Sequence, residues 1–146
     1  MKFNKSYEGG KFEDYVEYLQ IIKNRISLKL FAFISDPKRH NLGEKSLHDC
    51  RIQKIEYKCV SGEDYQITLL LTGENRVFKI YFANVSQVHI NQIHFGDLYK
   101  DLITYEVGME KDTFGNEKMV FRAKFPSDEG MIEVFSENLE IKEKII

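Results

Sequence analysis

The sequence predicts an α+β fold, in which an N-terminal helical segment packs on an antiparallel β-sheet of six to eight strands. Apolar residues recur at helical spacing over residues 11–35, and from residue 48 onward they alternate with polar residues. No further helical pattern separates the strands, so neighbouring strands are expected to run antiparallel. The pattern leaves open whether the sheet is open, sandwiched or partly closed into a barrel.

The composition fits one domain covering residues 1–146, which is long enough to bury a core without a disulfide or a metal. Its net charge of −2 is spread without a basic stripe, which argues against nucleic-acid binding. There is no apolar run of membrane-spanning length and no secretion signal at the N-terminus. We therefore expect a cytoplasmic protein that does not enter a membrane.

The N-terminal part is expected to consist of a flexible lead-in over residues 1–10 and a helical segment over residues 11–35. A break of the helix is expected near Asn24 to Ser27, and Asp36-Pro37 ends it because proline disfavours helix at the residue before it. Residues 36–47 then form a polar loop. The residues of the apolar stripe are Phe12, Tyr15, Val16, Leu19, Ile22, Ile26, Leu30 and Phe33.

The sheet is expected to span residues 48–146, and its first strand covers about 50–60. The apolar residues of this strand change parity near Gln53-Lys54, so a β-bulge there is required to put all of them on the core face. These residues are Cys50, Ile52, Ile55, Tyr57 and Cys59. The two cysteines would lie about 30 Å apart along an extended strand, which excludes a disulfide between them. Both are expected to be small apolar core residues.

Two hairpins have registers that the side chains determine. The first joins DYQITLLLT to RVFKIYFA and opposes Leu71 to Phe78, Leu69 to Ile80 and Ile67 to Phe82. The second turns at Thr113-Phe114-Gly115, with the glycine in the left-handed position. It opposes Met109 to Met119, Val107 to Phe121, Tyr105 to Ala123 and Ile103 to Phe125, with Glu110 against Lys118 and Glu106 against Arg122 on the other face.

The remaining strands are less regular. A further strand with a parity change is expected within VSQVHINQIHFGDLYK, and a final strand within MIEVFSENLEIKEKII either continues or is split near Ser136–Asn138. In the first hairpin, Leu70, Val77 and Tyr81 point away from the core face. Either the helix covers them in a sandwich or they form an apolar patch for a partner.

The candidate site residues are few. A histidine beside an aspartate, as in His48-Asp49, suits acid–base chemistry or metal binding, whereas the alternative is a turn in which the aspartate accepts backbone N–H groups. His89 and His94, with Asp97 nearby, are spaced too widely for a typical zinc motif. No catalytic motif is present, and we predict no metal site, cofactor or catalytic residue. The weak candidates for binding are His48, Asp49, Tyr81, His89 and His94.

Two short motifs carry a resemblance to a family. The stretch Leu47-His48-Asp49-Cys50-Arg51-Ile52, followed by Ile80-Tyr81-Phe82-Ala83-Asn84-Val85, resembles small bacterial β-rich proteins. These proteins have a Leu-His-Asp-x-x-Ile stretch before the first strand and a Phe-x-Asn-Val stretch after the third. The resemblance covers roughly residues 11–90. It implies a role like that of immunity proteins of polymorphic toxin systems, and it implies no catalytic residue.

The leading hypothesis is therefore a non-enzymatic protein-binding domain, of which an immunity-type inhibitor is one form. The alternative is a sheet or barrel that binds a small ligand in a pocket. An enzyme is the third hypothesis and requires His48, His89 or His94 to converge on one cleft. Sheet edges also allow a homodimer, although the sequence does not indicate which edge is free.

Overall fold

The computed structural model describes residues 1–95 and 101–146 and has the predicted α+β fold. Two α-helices precede six β-strands. The helices are α1 (Phe12–Ile22) and α2 (Leu28–Ile34), and the strands are β1 (Arg51–Ser61), β2 (Asp64–Thr72), β3 (Arg76–Asn91), β4 (Thr104–Lys111), β5 (Glu117–Lys124) and β6 (Met131–Ile145). Short 3-10 helices cover Ser6–Glu8, Lys23–Arg25 and Pro37–Arg39. No helix in the described part of the chain is both long enough and apolar enough to cross a membrane.

The predicted helix break lies where the sequence indicated. The turn Lys23–Arg25 separates α1 from α2, and Ser27 caps the second helix by accepting the backbone N–H of Leu30 at 3.1 Å. After α2, Asp36 precedes the proline in an extended conformation, and its carboxylate accepts the N–H of Lys38. The helix break and the helix end can therefore be predicted from residue types nearby in the sequence, the Ser27 cap and the Asp36-Pro37 pair.

The six strands form one antiparallel sheet in the order β1-β2-β3-β6-β5-β4, and the sheet is not closed into a barrel. β1 and β4 are its two outer strands. One isolated bridge, between Arg51 and Asp101, links the chain segments at the start of these two strands. Both predicted hairpin registers are confirmed, and Gly115 has the expected positive φ of 81°.

The bulge predicted in β1 is confirmed, because the register with β2 shifts between Ile52 and Lys54. A second irregularity explains why there are six strands rather than eight. The register of β3 against β6 shifts between Val85 and Gln87, next to Asn84 at a φ of 50°. This bulge changes parity without ending either strand, so β3 and β6 stay continuous where the sequence suggested separate pieces.

The helices pack on one face of the sheet, which we call the core face and which carries Phe78, Ile80 and Phe82. Leu30 and Ile34 of α2 are buried there, and the ring of Phe33 contacts that of Phe78 at 6.1 Å between centroids. The opposite face, called the outer face, carries Lys79 and Tyr81. Burying one apolar face of a sheet under helices is the usual way in which an α+β domain forms its core.

Residues 1–10 were expected as a flexible lead-in, but Phe3 and Asn4 within this segment pack against the sheet. Asn4 is fully buried, and the backbone N–H groups of Phe3 and Asn4 donate to the carboxylate of Glu106. The Phe3 ring lies over Gly108, where an added Cβ would come within 2.4 Å of it. Glycine at position 108 therefore allows the close approach of the N-terminal segment.

The outer edge of β4 is occupied by tyrosine side chains of α1. The hydroxyl of Tyr15 donates to the carbonyl of Val107 at 2.7 Å and accepts the N–H of the same residue at 2.8 Å. Tyr18 accepts the N–H of Met109 at 2.9 Å in the same way. These hydroxyls make the hydrogen bonds that the backbone of a neighbouring strand would otherwise make with β4. They therefore block the addition of another strand at this edge.

The expectation for β1 was partly wrong. Cys50 is buried, but Ile55 and Tyr57 are 42% and 65% exposed and Cys59 is exposed as well. Both cysteines are free, as predicted. β1 is the outermost strand and its far end extends beyond the helices, so its apolar side is not covered. The helices also leave the outer face uncovered, and Leu70, Val77 and Tyr81 are half-buried within it.

Candidate functional site

His48 and Asp49 lie in a turn before β1, and their side chains do come together. The Nδ1 atom of His48 is 3.0 Å from Oδ1 of Asp49, although it makes no hydrogen bond within the described residues. Asp49 has a φ of 66°, a left-handed conformation that Asp and Asn tolerate best after glycine. The sequence analysis offered a turn as one interpretation of this pair, and the left-handed conformation of Asp49 is the reason that the two side chains meet.

The backbone contacts around this pair favour a structural role. The N–H of Asp49 donates to the carbonyl of Leu102, and the N–H of Leu102 donates to the carbonyl of Cys50, both at 2.8 Å. The turn thus joins the start of β1 to the segment before β4. A cleft of about 540 Å³ adjoins the pair and is lined by Glu44, Ser46, Arg51, Thr72, Glu74 and Asp101, among others. Within residues 1–95 and 101–146, no group of three His, Cys, Asp or Glu side chains is arranged to hold a metal ion.

The four histidines do not converge on one cleft. His40 is half-buried beside the core, where its ring stacks on that of Tyr105 with 4.4 Å between centroids. His89 is exposed on β3, with its Nε2 atom 2.7 Å from Nε2 of Gln87. His94 is exposed beyond the end of β3, and the predicted neighbour Asp97 lies outside the described residues. The structure thus does not assemble the histidine site that an enzyme hypothesis required.

His40 was not singled out from the sequence, but its ring makes polar contacts with two separate segments of the chain. Its Nε2 atom is 2.8 Å from the carbonyl oxygen of Ile34, and its Nδ1 atom is 3.2 Å from the side-chain nitrogen of Asn4. Burial lowers the pKa of His40 to about 4. These contacts require a neutral ring that donates from Nε2 and accepts at Nδ1. Because all its polar atoms are used internally, His40 stabilises the fold and is not available to a ligand.

A buried charge cluster lies on the outer face of β4, β5 and β6. The guanidinium of Arg122 contacts carboxylate oxygens of Glu106, Glu110 and Glu133 at 3.0, 2.9 and 2.6 Å. Burial raises the pKa of Glu106, which is fully buried. The sequence predicted only the Glu106–Arg122 pair among these contacts. The cluster satisfies its own charges and fixes the N-terminal segment through Glu106, so we assign it a structural role.

The outer face of β1, β2, β3 and β6 forms a second charged surface, which we call the lysine face. Strand register places Lys54, Leu70, Lys79 and Lys142 in one row and Glu56, Thr68, Tyr81 and Glu140 in the next. Arg51 at the end of this surface pairs with Asp101. Without that pair, the lysine face carries five lysines and three acidic residues, so its net charge is +2, whereas the whole chain has a net charge of −2. The lysines are Lys54, Lys58, Lys79, Lys142 and Lys144, and the acidic residues are Glu56, Asp64 and Glu140.

Tyr81, a candidate from the sequence, lies inside the lysine face. The ammonium of Lys142 is 5.3 Å from the centre of its ring. The ammonium of Lys54 lies 2.6 Å from Glu56, and this contact lowers the pKa of the Glu56 carboxyl below its ordinary value. Lys79 and Lys144 make no salt bridge with any residue that the structure describes. The sequence did not reveal this surface because the lysines are far apart along the chain and only the strand order brings them into rows.

The outer strand β1 is exposed along nearly its whole length. Only Ile52 is half-buried, and the remaining residues of Arg51–Ser61 are exposed. Next to the strand, Tyr65 of β2 stacks on Tyr57 with ring centroids 5.9 Å apart. Ile55, Tyr57, Val60 and Tyr65 are all more than a third exposed. This end of the sheet combines an unpaired strand with apolar and aromatic side chains, and we call it the β1 edge.

A separate cleft of about 550 Å³ lies between α2 and the sheet. It is lined by Leu30 and Phe33 of the helix, by Lys29 and Lys142, and by parts of β2, β3 and β6 that include Ile67, Tyr81, Phe82 and Leu139. Its size is within the range of small-molecule sites. The cleft combines apolar walls with Lys29 on its rim, which suits a small apolar anion, while the ammonium of Lys142 lies on the outer face over the ring of Tyr81.

Comparison of the chain with models of protein families, with curated proteins and with solved structures finds no match.

Proposed function

We propose that this protein is a non-enzymatic protein-binding domain that takes up an extended segment of a partner along the β1 edge. The observation that carries the proposal is the contrast between the two outer strands. The backbone of β4 is hydrogen-bonded by the hydroxyls of Tyr15 and Tyr18, whereas β1 beyond the Arg51–Asp101 bridge is exposed at every residue except Ile52. Addition of a strand to such an edge supplies main-chain hydrogen bonds, and neighbouring side chains supply specificity.

The side chains at this edge support the same function. Ile55, Tyr57 and Tyr65 present apolar and aromatic surface beside the unpaired backbone. Aromatic residues are enriched at the energetic centres of protein interfaces because they bury much area at low entropic cost. Lysine is common on natural edge strands, where it discourages uncontrolled pairing. Lys54 and Lys58 thus restrict the partners of β1 without closing the edge.

The test compares capture of partners from the source cell by two matched variants. Ile55→Asp with Tyr57→Asp places two negative charges at the β1 edge, and Ile21→Asp with Leu28→Asp places the same two charges at exposed apolar residues of α1 and α2. We expect a stoichiometric partner with the wild type and with the helix variant, and its loss with the β1 variant. Recovery of the same partner by the β1 variant would contradict the proposal.

A direct readout of strand addition is hydrogen exchange. When the captured partner is added back, the amides of alternate β1 residues that point away from β2 are expected to become protected. Amides elsewhere in the sheet are expected to change little. Protection confined to α1 or α2 would place the interface on the helices and exclude the β1 edge.

The narrower form of the proposal is an immunity-type inhibitor, and its support is the resemblance carried by Leu47–Ile52 and Ile80–Val85. In the structure Asp49 and Asn84 of these two motifs both have positive φ, at 66° and 50°. The motifs therefore fit turn and bulge requirements of the fold. Co-expression with the product of the reading frame directly upstream is the test: protection of the cell from a toxic upstream product is expected, and an upstream gene without toxicity would contradict this form.

A second candidate function is binding of a small ligand, favoured by the cleft between α2 and the sheet. The probe is 1-anilinonaphthalene-8-sulfonate, an aromatic anion that suits apolar walls beside the ammonium of Lys29. Binding by the folded protein that weakens in Lys29→Glu, and not in Lys11→Glu, is the expected result for this function. Equal binding by both variants would exclude the cleft.

A further inference from the structure

The chemistry of the partner segment follows from the charge pattern of β1. Along this strand Lys54, Glu56 and Lys58 belong to the outer face, where they stand in register with Leu70, Thr68 and Gln66 of β2. The intervening Ile55 and Tyr57 are in register with Leu69 and Ile67, on the core face. Each of these five positions has a neighbour on the β2 side and none among the described residues on the other side.

The inner strands show the rows to which these positions belong. In the lysine face, Lys142 follows Lys79 and Leu70, while Glu140 follows Tyr81 and Thr68. The sign of the charge alternates from row to row, and opposite charges two residues apart on the same strand contact each other, as in Lys54–Glu56 and Lys142–Glu140. The β2 residues directly across from Lys54, Glu56 and Lys58 are uncharged, so an added strand can place opposite charges there, which stabilise a strand pair, whereas like charges destabilise it.

We propose that the β1 edge recognises an extended segment whose side chains read acidic, apolar, basic, apolar, acidic, with the acidic residues opposite Lys54 and Lys58 and the basic residue opposite Glu56. The inference rests on the proposed function, since it names the partner of the same surface. The apolar residues of the segment pack against Ile55 and Tyr57. Because the order Lys54-Glu56-Lys58 is symmetric about Glu56, the segment pairs equally well in either direction.

A second copy of the chain fits this edge less well. Two antiparallel β1 strands opposed at Glu56 place Lys54 against Lys58 twice and the two glutamates against each other. Shifting the centre to Tyr57 pairs Glu56 with Lys58 twice, but Lys54 then faces the apolar Val60. The proposed segment pairs all three charged positions, so we assign the edge to a partner segment, and self-association becomes one outcome of the test.

The test uses three labelled synthetic peptides of identical length and flanks. Their central residues are Asp-Val-Lys-Val-Asp, the charge-reversed Lys-Val-Asp-Val-Lys, and the scrambled Asp-Asp-Val-Val-Lys. Fluorescence anisotropy measures binding of each one to the full chain. We expect the first peptide to bind about tenfold more tightly than the other two. The charge-reversed peptide places like charges opposite one another, and the scrambled peptide places its charges out of register with those of β1.

The variant Lys54→Glu with Lys58→Glu makes all three charged positions of the edge acidic. We expect it to lose about tenfold in affinity for the Asp-Val-Lys-Val-Asp peptide, and the charge-reversed peptide is not expected to recover fully because Glu56 stays acidic. The matched control, Lys11→Glu with Lys38→Glu, changes the net charge equally at exposed sites away from the sheet. It is expected to bind all three peptides within about twofold of the wild type.

Three outcomes would overturn the inference. Equal binding of the scrambled peptide would show attraction by net charge alone, and unchanged affinity in the Lys54/Lys58 variant would place the peptide elsewhere. A stable dimer in analytical ultracentrifugation that dissociates in the same variant would assign the edge to a second copy. If instead none of the peptides binds while the Ile55/Tyr57 variant still loses the cellular partner, the proposed function stands and only the partner chemistry is wrong.

Discussion

The imidazole of His40 uses both of its nitrogen atoms in contacts within the protein, with Ile34 on one side and Asn4 on the other. The ring is further enclosed by Tyr105, Tyr15 and Phe12, whose ring centroids lie 4.4 to 5.7 Å away. A charged ring in this place would lack an acceptor for its second proton and would lose its hydration. The native state therefore resists protonation of His40 far more than an unfolded chain does.

This resistance predicts how stability depends on pH. The pKa of His40 is about 4 in the folded state and about 6.5 in an unfolded chain. Above pH 6.5 both states are neutral at this ring, and the free energy of unfolding has no contribution from its titration. As the pH falls from about 6.5 to about 4 the unfolded state gains the proton first, so stability is lost, by up to about 3 kcal/mol.

Urea unfolding at pH 7, 6, 5 and 4 measures this effect. The His40→Gln variant is expected to be less stable than the wild type at pH 7, since the ring contacts are lost. Between pH 6.5 and pH 4, however, its free energy of unfolding should fall by less than that of the wild type. The control His89→Gln changes an exposed histidine and should keep the full dependence on pH. An equal loss of stability with falling pH in wild type and His40→Gln would contradict the assignment.

At the same scale, the sequence identified His48 and Asp49 as neighbours of interest but not their geometry. Alternation along a strand predicts opposite directions for adjacent side chains, and only the φ of 66° at Asp49 brings them to 3.0 Å. The value of one backbone dihedral was not readable from residue types alone. His40 was missed for another reason, since its aromatic neighbours come from Phe12, Tyr15 and Tyr105, which lie far apart in the chain.

At the scale of elements, α1 supports the sheet through two hydroxyl groups as well as through its apolar stripe. Tyr15 is fully buried and both donates to and accepts from Val107, while Tyr18 is less buried and bonds Met109. Burial raises the pKa of both tyrosines, so their hydroxyls stay protonated and able to donate. Helix and edge strand are thus joined at the polar backbone and not only at the core.

The substitution Tyr15→Phe removes one oxygen and leaves the buried N–H and carbonyl of Val107 without this partner. We expect a loss of about 1 to 3 kcal/mol in the free energy of unfolding, because unsatisfied buried polar groups are costly. Tyr7→Phe removes the same atom from an exposed tyrosine and should change stability by less than about 0.5 kcal/mol. Equal effects of the two substitutions, measured by urea unfolding, would show that the Tyr15 hydroxyl does not stabilise the edge.

Hairpin registers could be predicted from the sequence, whereas strand lengths could not. Matching Leu69 with Ile80 or Val107 with Phe121 needs only the alternation of apolar residues and a turn of suitable length. After the bulge that follows Val85, the residues of odd and even number exchange faces of the sheet. In the sequence, such an exchange cannot be distinguished from the end of one strand and the start of another. The β1 bulge could be found because apolar residues on both sides required it, but their burial depended on how far the helices reach.

At the scale of the whole molecule, the two cysteines lie in different environments, one buried and one exposed. Cys50 is buried where the turn before β1 meets the segment that precedes β4, and a Cβ on Gly73 would lie 3.2 Å from its sulfur. Burial raises the pKa of the Cys50 thiol to about 12. Cys59 is exposed near the far end of β1.

This difference predicts the reaction of the thiols with 5,5′-dithiobis(2-nitrobenzoic acid). In the folded protein one thiol, Cys59, should react rapidly, and Cys50 should react only as fast as the structure opens, because a buried thiol of high pKa forms no thiolate. In Cys59→Ser the rapid phase should disappear. Two rapid phases in the native wild type would mean that β1 separates from the sheet in the folded state.

The tyrosines that cover the backbone of β4 also limit how many molecules can associate. Ribbons and fibrils grow when every added sheet offers a fresh edge on its far side. Here a molecule that has accepted a strand at β1 presents hydroxyl groups at β4 instead. For the strand addition proposed at β1 we therefore expect complexes of one-to-one stoichiometry, and we expect a growing fibril that incorporates this sheet to end there.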